Sequence, residues 1–167
     1  FIECPTGISS DMLLAAFLDL GVPIDFINSA IKSLELRNDF KLNIKQTKSH
    51  GIRGISIVIE GISDPLPCRR WIEIRDLISK LNLNKSLKNN VRAVFRELAE
   101  AEAVVHGCEL DQVHFHEIGS ISSLIKVVSI FIAIDYLKVK KIYCMSPPAG
   151  SGEVITSHGV LPVPVPT

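Results

Sequence analysis

The stretch from Ile121 to Tyr136 constrains the fold most, because it predicts a helix that is apolar on nearly every face. Such a helix has to be covered by other elements, so we expect it at the centre of the core. The longest apolar run, Leu124 to Leu137, contains Lys126 and Asp135 and is too short to span a bilayer, so no membrane partner is expected. Apolar residues make up 47% of the 167 residues, enough for one domain with a sizeable core.

Other helices and several short strands are predicted around this central helix. Apolar and polar residues alternate at 40–45 and again at 55–59, which predicts two half-buried strands on either side of a turn at 49–54. Shorter strands are expected at 1–4, 141–145 and 153–156, while alternating prolines favour an extended path near the end of the sequence. Apolar residues at helical spacing predict the remaining helices, at Ser9 or Ser10 to Leu20, Pro23 to Leu34, Trp71 to Leu81 and Lys85 to His106. The predicted fold class is α+β, with short strands including an antiparallel pair, packed with about five helices in a single domain over residues 1–167.

Charge and cysteine content exclude several classes of function. The chain has 18 basic and 18 acidic residues, and a protein without a basic excess is not expected to bind nucleic acid or an anionic membrane. The four cysteines are widely spread and form no Cys-x-x-Cys pair, so neither a zinc ribbon nor a redox motif is predicted. Free thiols in a reducing cytoplasm fit this pattern best, and no signal peptide is visible at residues 1–4.

A metal-binding site is one of two interpretations of the segment from His114 to Gly119. It contains His114, His116 and Glu117, and imidazole and carboxylate groups are common ligands of divalent metals. In an extended segment His114 and His116 would share a face, because residues two apart point the same way. The alternative is two surface histidines beside a core phenylalanine, which is the more frequent meaning of an isolated His-x-His.

The segment Thr6 to Asp11 predicts a helix N-terminus that could bind an anion. An apolar helix follows Gly7 and the hydroxyl residues Thr6, Ser9 and Ser10. At the N-terminus of such a helix, free backbone amides and the helix dipole favour binding of a phosphate. Asp11 could bind a metal or cap the helix, and an ordinary capped helix is the alternative for the whole segment.

Two further positions leave alternatives open. Arg53 lies at the tip of the turn between the two predicted strands, either solvated or lining a pocket for an anion. His106 lies in the last turn of a helix that Gly107 is expected to cap, where a cation is favoured, so a structural role is preferred over metal binding. Neither a Gly-x-Gly-x-x-Gly motif nor a P-loop lysine occurs in the sequence.

Several of these segments occur together, in this order and spacing, in one protein family. The chain resembles the N-terminal part of the LarC-type nickel insertion proteins, which act in nickel-pincer cofactor biosynthesis. The resemblance covers nearly the whole chain, and the segments that carry it are Gly7-Ile8-Ser9 with Asp11-Met12, His50-Gly51-Ile52-Arg53-Gly54, Val105-His106-Gly107, Val113-His114-Phe115-His116-Glu117-Ile118-Gly119, Gly150-Ser151-Gly152, and His158-Gly159 with Leu161-Pro162-Val163-Pro164.

The resemblance implies an activity and its reactants. It implies insertion of nickel into a pyridinium-3,5-bisthiocarboxylate mononucleotide, a lyase-class reaction that uses CTP with manganese or magnesium. It also implies a cytoplasmic protein, a homo-oligomer, and a C-terminal partner chain or segment that does the nucleotide work and is absent from these 167 residues. It assigns no catalytic residue.

The resemblance also implies which residues form the sites. Nickel would bind His114 and His116 together with Glu117, His106 or His158. The nucleotide phosphate would lie near the segment from Thr6 to Asp11 and near Arg53.

The chain departs from the family pattern at positions that bear on this activity. Ser122 and Lys126 stand where the family usually has acidic residues, and residues 63–70 contain no histidine run. Three functions therefore remain open: nickel insertion, metal binding by a non-catalytic accessory protein, and a diverged relative that keeps only the fold.

Overall fold

The computed structural model describes residues 1–32, 40–61, 69–116, 118–156 and 158–165. Its described residues form an α+β fold, which confirms the predicted fold class. A short 3-10 helix lies at Leu110–Gln112. The helices are α1 (Ser10–Asp19), α2 (Ile24–Lys32), α3 (Trp71–Lys80), α4 (Lys85–His106) and α5 (Ile121–Tyr136). The strands are β1 (Lys41–Ser49), β2 (Ile52–Glu60), β3 (Arg69–Arg70), β4 (His114–Phe115), β5 (Glu153–Thr156) and β6 (Gly159–Pro162).

Helix α5 is the centre of the core, as its apolar sequence predicts. It packs against α1, α2 and α4. Ser120 caps its N-terminus by accepting a hydrogen bond from the Ser123 amide at 3.0 Å. Each fully buried aliphatic side chain on the helix contributes about 1.5–3 kcal/mol to folding. The buried apolar residues of α5 are Leu124, Ile125, Val128, Ile132 and Ala133.

Helix α4 carries the longest amphipathic stripe of the described chain. The Asn84 side chain accepts a hydrogen bond from the Leu87 amide at 2.9 Å and so begins the helix. Gly107 ends it in the left-handed conformation, with φ of 60°, as expected of a glycine C-cap. The predicted helix bounds are confirmed, and they place His106 at the very end of α4.

The predicted antiparallel pair is β1 and β2, which pair in register from Lys41 opposite Glu60 to Ser49 opposite Ile52. The buried Asn28 side chain of α2 holds β1 in place. Its amide nitrogen donates to the Leu42 carbonyl at 2.9 Å, and its amide oxygen accepts from the Leu42 amide at 2.8 Å. This reciprocal pair satisfies buried backbone groups that the hairpin itself leaves unpaired on that side.

The predictions were wrong where strands were expected near the two ends of the sequence. Residues 1–4 and 141–145 form a single parallel bridge between Ile2 and Cys144 instead of two strands. Pro5 and Pro147 lack amide hydrogens, so a ladder cannot extend past them. The extended path expected near residue 160 is instead the edge strand β6, which pairs with β5 alone.

Some predictions fall outside the described residues. They are the end of the second helix at Leu34 and the loop at 63–68. In the described ranges no helix has both the length and the apolar character needed to cross a membrane.

Candidate metal centre

Three histidines from distant parts of the sequence meet at one place on the surface. Each of His106, His116 and His158 offers a ring nitrogen, and these nitrogens all lie within 4.8 Å of one another. The ring centroids are 5.9 Å apart for His106 and His116, 5.0 Å for His106 and His158, and 4.8 Å for His116 and His158. Over the described part of the chain this is the one group of three or more metal-ligating side chains. We call these three residues the histidine cluster.

His106 is held at the end of α4 by a carboxylate one turn earlier. Its Nε2 lies 3.2 Å from Oε2 of Glu102, whose side chain is 16% exposed. When Nε2 donates to this carboxylate, Nδ1 keeps the lone pair that a metal ion would use. A carboxylate behind a ligating histidine fixes the tautomer and the ring orientation. Glu102 is therefore the residue that orients His106.

His116 follows the short strand β4, which is anchored by a buried aromatic ring. Phe115 is 1% exposed and packs edge-on against Phe95, with ring centroids 6.3 Å apart. The pairing of β3 with β4 places Arg69 opposite Phe115. These contacts fix the backbone from which the His116 side chain extends into the cluster.

Gly119 closes the same segment, and only a glycine fits there. A Cβ at this position would lie 2.9 Å from Cβ of Phe115 and 3.1 Å from the Arg69 amide nitrogen. The Arg69 guanidinium donates to the Gly119 carbonyl at 3.1 Å. The packing explains why a glycine ends this segment.

His158 lies on the turn between β5 and β6. Its amide donates to Oγ1 of Thr156 at 3.1 Å, and the same hydroxyl donates to the Gly159 carbonyl at 3.1 Å. Gly159 has φ of 95°, a conformation that glycine adopts without strain. These hydrogen bonds within the turn fix its backbone, which places the His158 imidazole beside those of His106 and His116.

The spacing of the cluster suits a divalent ion after small side-chain movements. Nitrogen ligands of a tetrahedral site at ordinary bond lengths are ~3.3 Å apart, and exposed imidazoles can approach by rotation about their side-chain bonds. All three residues are exposed, so a bound ion would keep open positions for water or another ligand.

An apolar cavity adjoins the cluster and provides space for a ligand. It has a volume of about 350 Å³, and Glu102, His116 and His158 form part of its wall. The rest of its wall is mainly apolar, with Phe115, Ile118, Val154, Leu161, Val163 and Val165. A ligand in this cavity would lie beside the imidazoles.

Of the two other predicted metal ligands, the structure describes His114 alone. His114 is exposed on β4 opposite Arg70 and is not one of the three clustered histidines. Strand β4 ends at Phe115, so the alternation that would put His114 and His116 on one face does not continue. Glu117 lies outside the described residues.

At the start of α1, the polar groups of the predicted anion site make contacts within the protein. Ser9 is the N-cap, and its hydroxyl accepts from the Met12 amide at 3.2 Å. The Asp11 carboxylate forms an ion pair with Lys126 of α5 at 2.8 Å. Thr6 is exposed and Ser10 half-buried, and Gly7 has φ of 91°.

Arg53 lies apart from this turn. Its guanidinium pairs with Asp19 at 2.8 Å, at the opposite end of α1. A helix of ten residues is about 15 Å long, so the structure does not bring Arg53 together with the turn at 6–11.

Sequence reasoning missed Glu102 as a residue of the site. The signal was available, because Glu102 and His106 are four residues apart and side chains at that spacing meet on one face of a helix.

One pKa shift bears on the strand pair that supports the site. The Arg70 amide donates to Glu73 at 2.9 Å, and this hydrogen bond lowers the pKa of the Glu73 carboxyl below its usual value. Glu73 thereby ties the start of α3 to β3, the partner of β4.

Comparison with known proteins identifies relatives along the full sequence. The family model described as nickel insertion protein matches residues 1–167. A relative from Cyanothece is 38% identical over 170 residues, covering 99% of this chain and 42% of its own length. A relative from Pelobacter propionicus is 40% identical over 165 residues, covering 98% of this chain and 42% of its own length. Both carry the provisional name nickel insertion protein. No solved structure matches the chain.

Proposed function

Because the chain belongs to the nickel insertion protein family, we propose that it binds nickel as cargo through His106, His116 and His158 and passes it to a sulfur-containing nucleotide. The observation that carries the proposal is the convergence of three imidazole nitrogens within 4.8 Å. Imidazole is a good ligand for nickel, and a group of three exceeds what isolated surface histidines provide.

The character of the cluster suits transfer as well as binding. Three neutral imidazoles leave the full double positive charge on the ion, so an anionic sulfur ligand is attracted to it. Exposure of the cluster leaves room for such a ligand to coordinate the ion before the imidazoles release it. The neighbouring apolar cavity of about 350 Å³ could hold the ring of the incoming molecule.

The wider reaction is proposed for the whole protein. The chain spans 42% of the length of the Cyanothece and Pelobacter relatives. The resemblance supports insertion of nickel into a pyridinium-3,5-bisthiocarboxylate mononucleotide, a lyase-class step of nickel-pincer cofactor synthesis. It also supports CTP with manganese or magnesium as co-reactants, a C-terminal partner segment, assembly as a homo-oligomer and a cytoplasmic location.

A second candidate is a metal-binding accessory protein without catalysis. The ion pair between Lys126 and Asp11 favours it, because the ammonium occupies the carboxylate that a manganese or magnesium ion would need at the α1 N-terminus. Conversion of the dithiocarboxylate nucleotide, assayed with nickel and CTP, separates this candidate from nickel insertion.

Calorimetric titration with nickel tests the binding role. We expect His158→Ala to lower nickel affinity at least ~10-fold, since loss of even an indirect contact to a metal has that effect. His50→Ala is the matched control, because His50 lies on the hairpin turn between β1 and β2. Equal affinity of the wild type and His158→Ala would refute the proposed site.

A further inference from the structure

Two cysteines that are 140 positions apart in the sequence touch in the fold. The Sγ atoms of Cys4 and Cys144 lie 3.7 Å apart. Cys4 is buried, with 3% exposure, whereas Cys144 is exposed to solvent. Among the cysteines that the structure describes, these two alone make a sulfur–sulfur contact.

Backbone hydrogen bonds hold the two cysteine-bearing segments side by side. The Ile2 amide donates to the Tyr143 carbonyl at 2.7 Å, and the Met145 amide donates to the Ile2 carbonyl at 3.1 Å. The thiols are therefore brought together by the main chain rather than by their own attraction. A bond between them would need side-chain rotation and a small approach of the two segments, without unfolding.

We propose that Cys4 and Cys144 form a reversible dithiol–disulfide couple that is oxidised by peroxide-class oxidants. In the first step the Cys144 sulfur attacks a peroxide oxygen, the oxygen–oxygen bond breaks, and a sulfenic acid and water are formed. In the second step the Cys4 sulfur attacks the sulfenic sulfur, and the hydroxyl leaves with the Cys4 proton as water. The two thiols are oxidised by two electrons and the peroxide is reduced to two waters.

The surroundings of the two sulfurs assign these roles. Cys144 is the thiol that a dissolved oxidant can reach. Burial, with a further contribution from Cys144, raises the pKa of the Cys4 thiol, which makes Cys4 less reactive towards a dissolved oxidant than an exposed thiol.

Oxidation would join two walls of a second cavity. Cys4 and the residues before it line an apolar cavity of about 440 Å³ together with Lys141 and Ile142. A disulfide would fasten these walls to each other, so the oxidised protein would differ from the reduced one at this cavity.

Peptide mapping under non-reducing conditions tests the proposal on the full chain. Trypsin cleaves after Lys32 and Lys141, so Cys4 falls in peptide 1–32 and Cys144 in peptide 142–167. The protein is treated with hydrogen peroxide, remaining thiols are blocked before unfolding, and the digest is analysed by mass spectrometry. We expect the main oxidised product to be these two peptides joined with loss of two hydrogen atoms, and dithiothreitol to separate them.

Three variants make the result decisive. Cys108→Ser should cross-link like the wild type, because Cys108 takes no part in the contact between Cys4 and Cys144. Cys108 lies in a different tryptic peptide, so a cross-link to it would be recognised by its mass. Cys4→Ser should leave Cys144 as a sulfenic acid that dimedone traps. If Cys4→Ser fails to fold, Cys144→Ser replaces an exposed side chain and should leave Cys4 reduced. Oxidation of wild-type Cys144 to sulfinic acid with Cys4 unmodified, or cross-links to Cys108 as abundant as those to Cys4, would overturn the proposal.

Discussion

The histidine cluster and the N-terminal turn of α1 are both rich in polar groups, yet the fold uses them differently. At the turn, the Ser9 hydroxyl caps α1 and the Asp11 carboxylate is paired with Lys126 at 2.8 Å. At the cluster, three imidazoles from separate elements converge on the surface beside a cavity. Local sequence features mark the end of α1, whereas the candidate metal centre depends on side chains that converge from distant elements.

The largest effect is expected from removing the ring that anchors β4. Phe115→Ala should lower the free energy of unfolding by about 3–5 kcal/mol, because a fully buried phenylalanine is lost and a cavity remains. Nickel affinity should fall as well, since His116 follows directly on the chain. Chemical denaturation and nickel titration measure the two effects. Phe1→Ala is the control, because Phe1 is 81% exposed, and a similar loss of stability in both variants would contradict the anchoring role.

A smaller effect is expected at the carboxylate that orients His106. Glu102→Gln should lower nickel affinity about 10-fold without changing the fold. The neutral side-chain amide of glutamine lacks the negative charge with which the Glu102 carboxylate orients the His106 imidazole. Glu97→Gln on the exposed side of α4 is the matched control. Calorimetry compares the two variants, and equal affinities would show that Glu102 does not act on the site.

The smallest effect is expected at the N-terminal turn, where a charge reversal would sharpen the contrast with the cluster. Lys126→Glu replaces the ion pair with two facing carboxylates and should destabilise the protein by about 1 kcal/mol, since the pair is only partly buried. Manganese should raise the melting temperature of this variant more than that of the wild type, because carboxylates bind hard cations.

The control for that prediction is Lys45→Glu, which changes the same charge at an exposed side chain of β1. If manganese stabilises both variants equally, the carboxylates at the turn do not form a cation site.

Sequence patterns predicted the elements whose structure is determined by neighbouring residues. The apolar run of α5, the alternation in β1 and β2, and the cap of α4 at Gly107 all act over a few residues. Hydrophobic periodicity and capping residues determine structure within such short stretches, and these predictions are confirmed in the fold.

Sequence patterns could not predict contacts between distant residues. His106, His116 and His158 meet only because α4, β4 and the β5–β6 turn pack together. The expected partnership of His114 with His116 assumed an extended segment, but β4 ends at Phe115. The contact of Cys4 with Cys144 spans 140 positions, and no spacing rule for neighbouring cysteines detects it.

Nickel binding by the histidine cluster is tested most directly by anomalous diffraction at the nickel edge, from crystals of the protein soaked with nickel. We expect one strong peak at bonding distance, ~2.1 Å, from ring nitrogens of His106, His116 and His158. The same peak should be absent from crystals of His158→Ala. A nickel peak on His50 or His114, with none at the cluster, would contradict nickel binding by the histidine cluster.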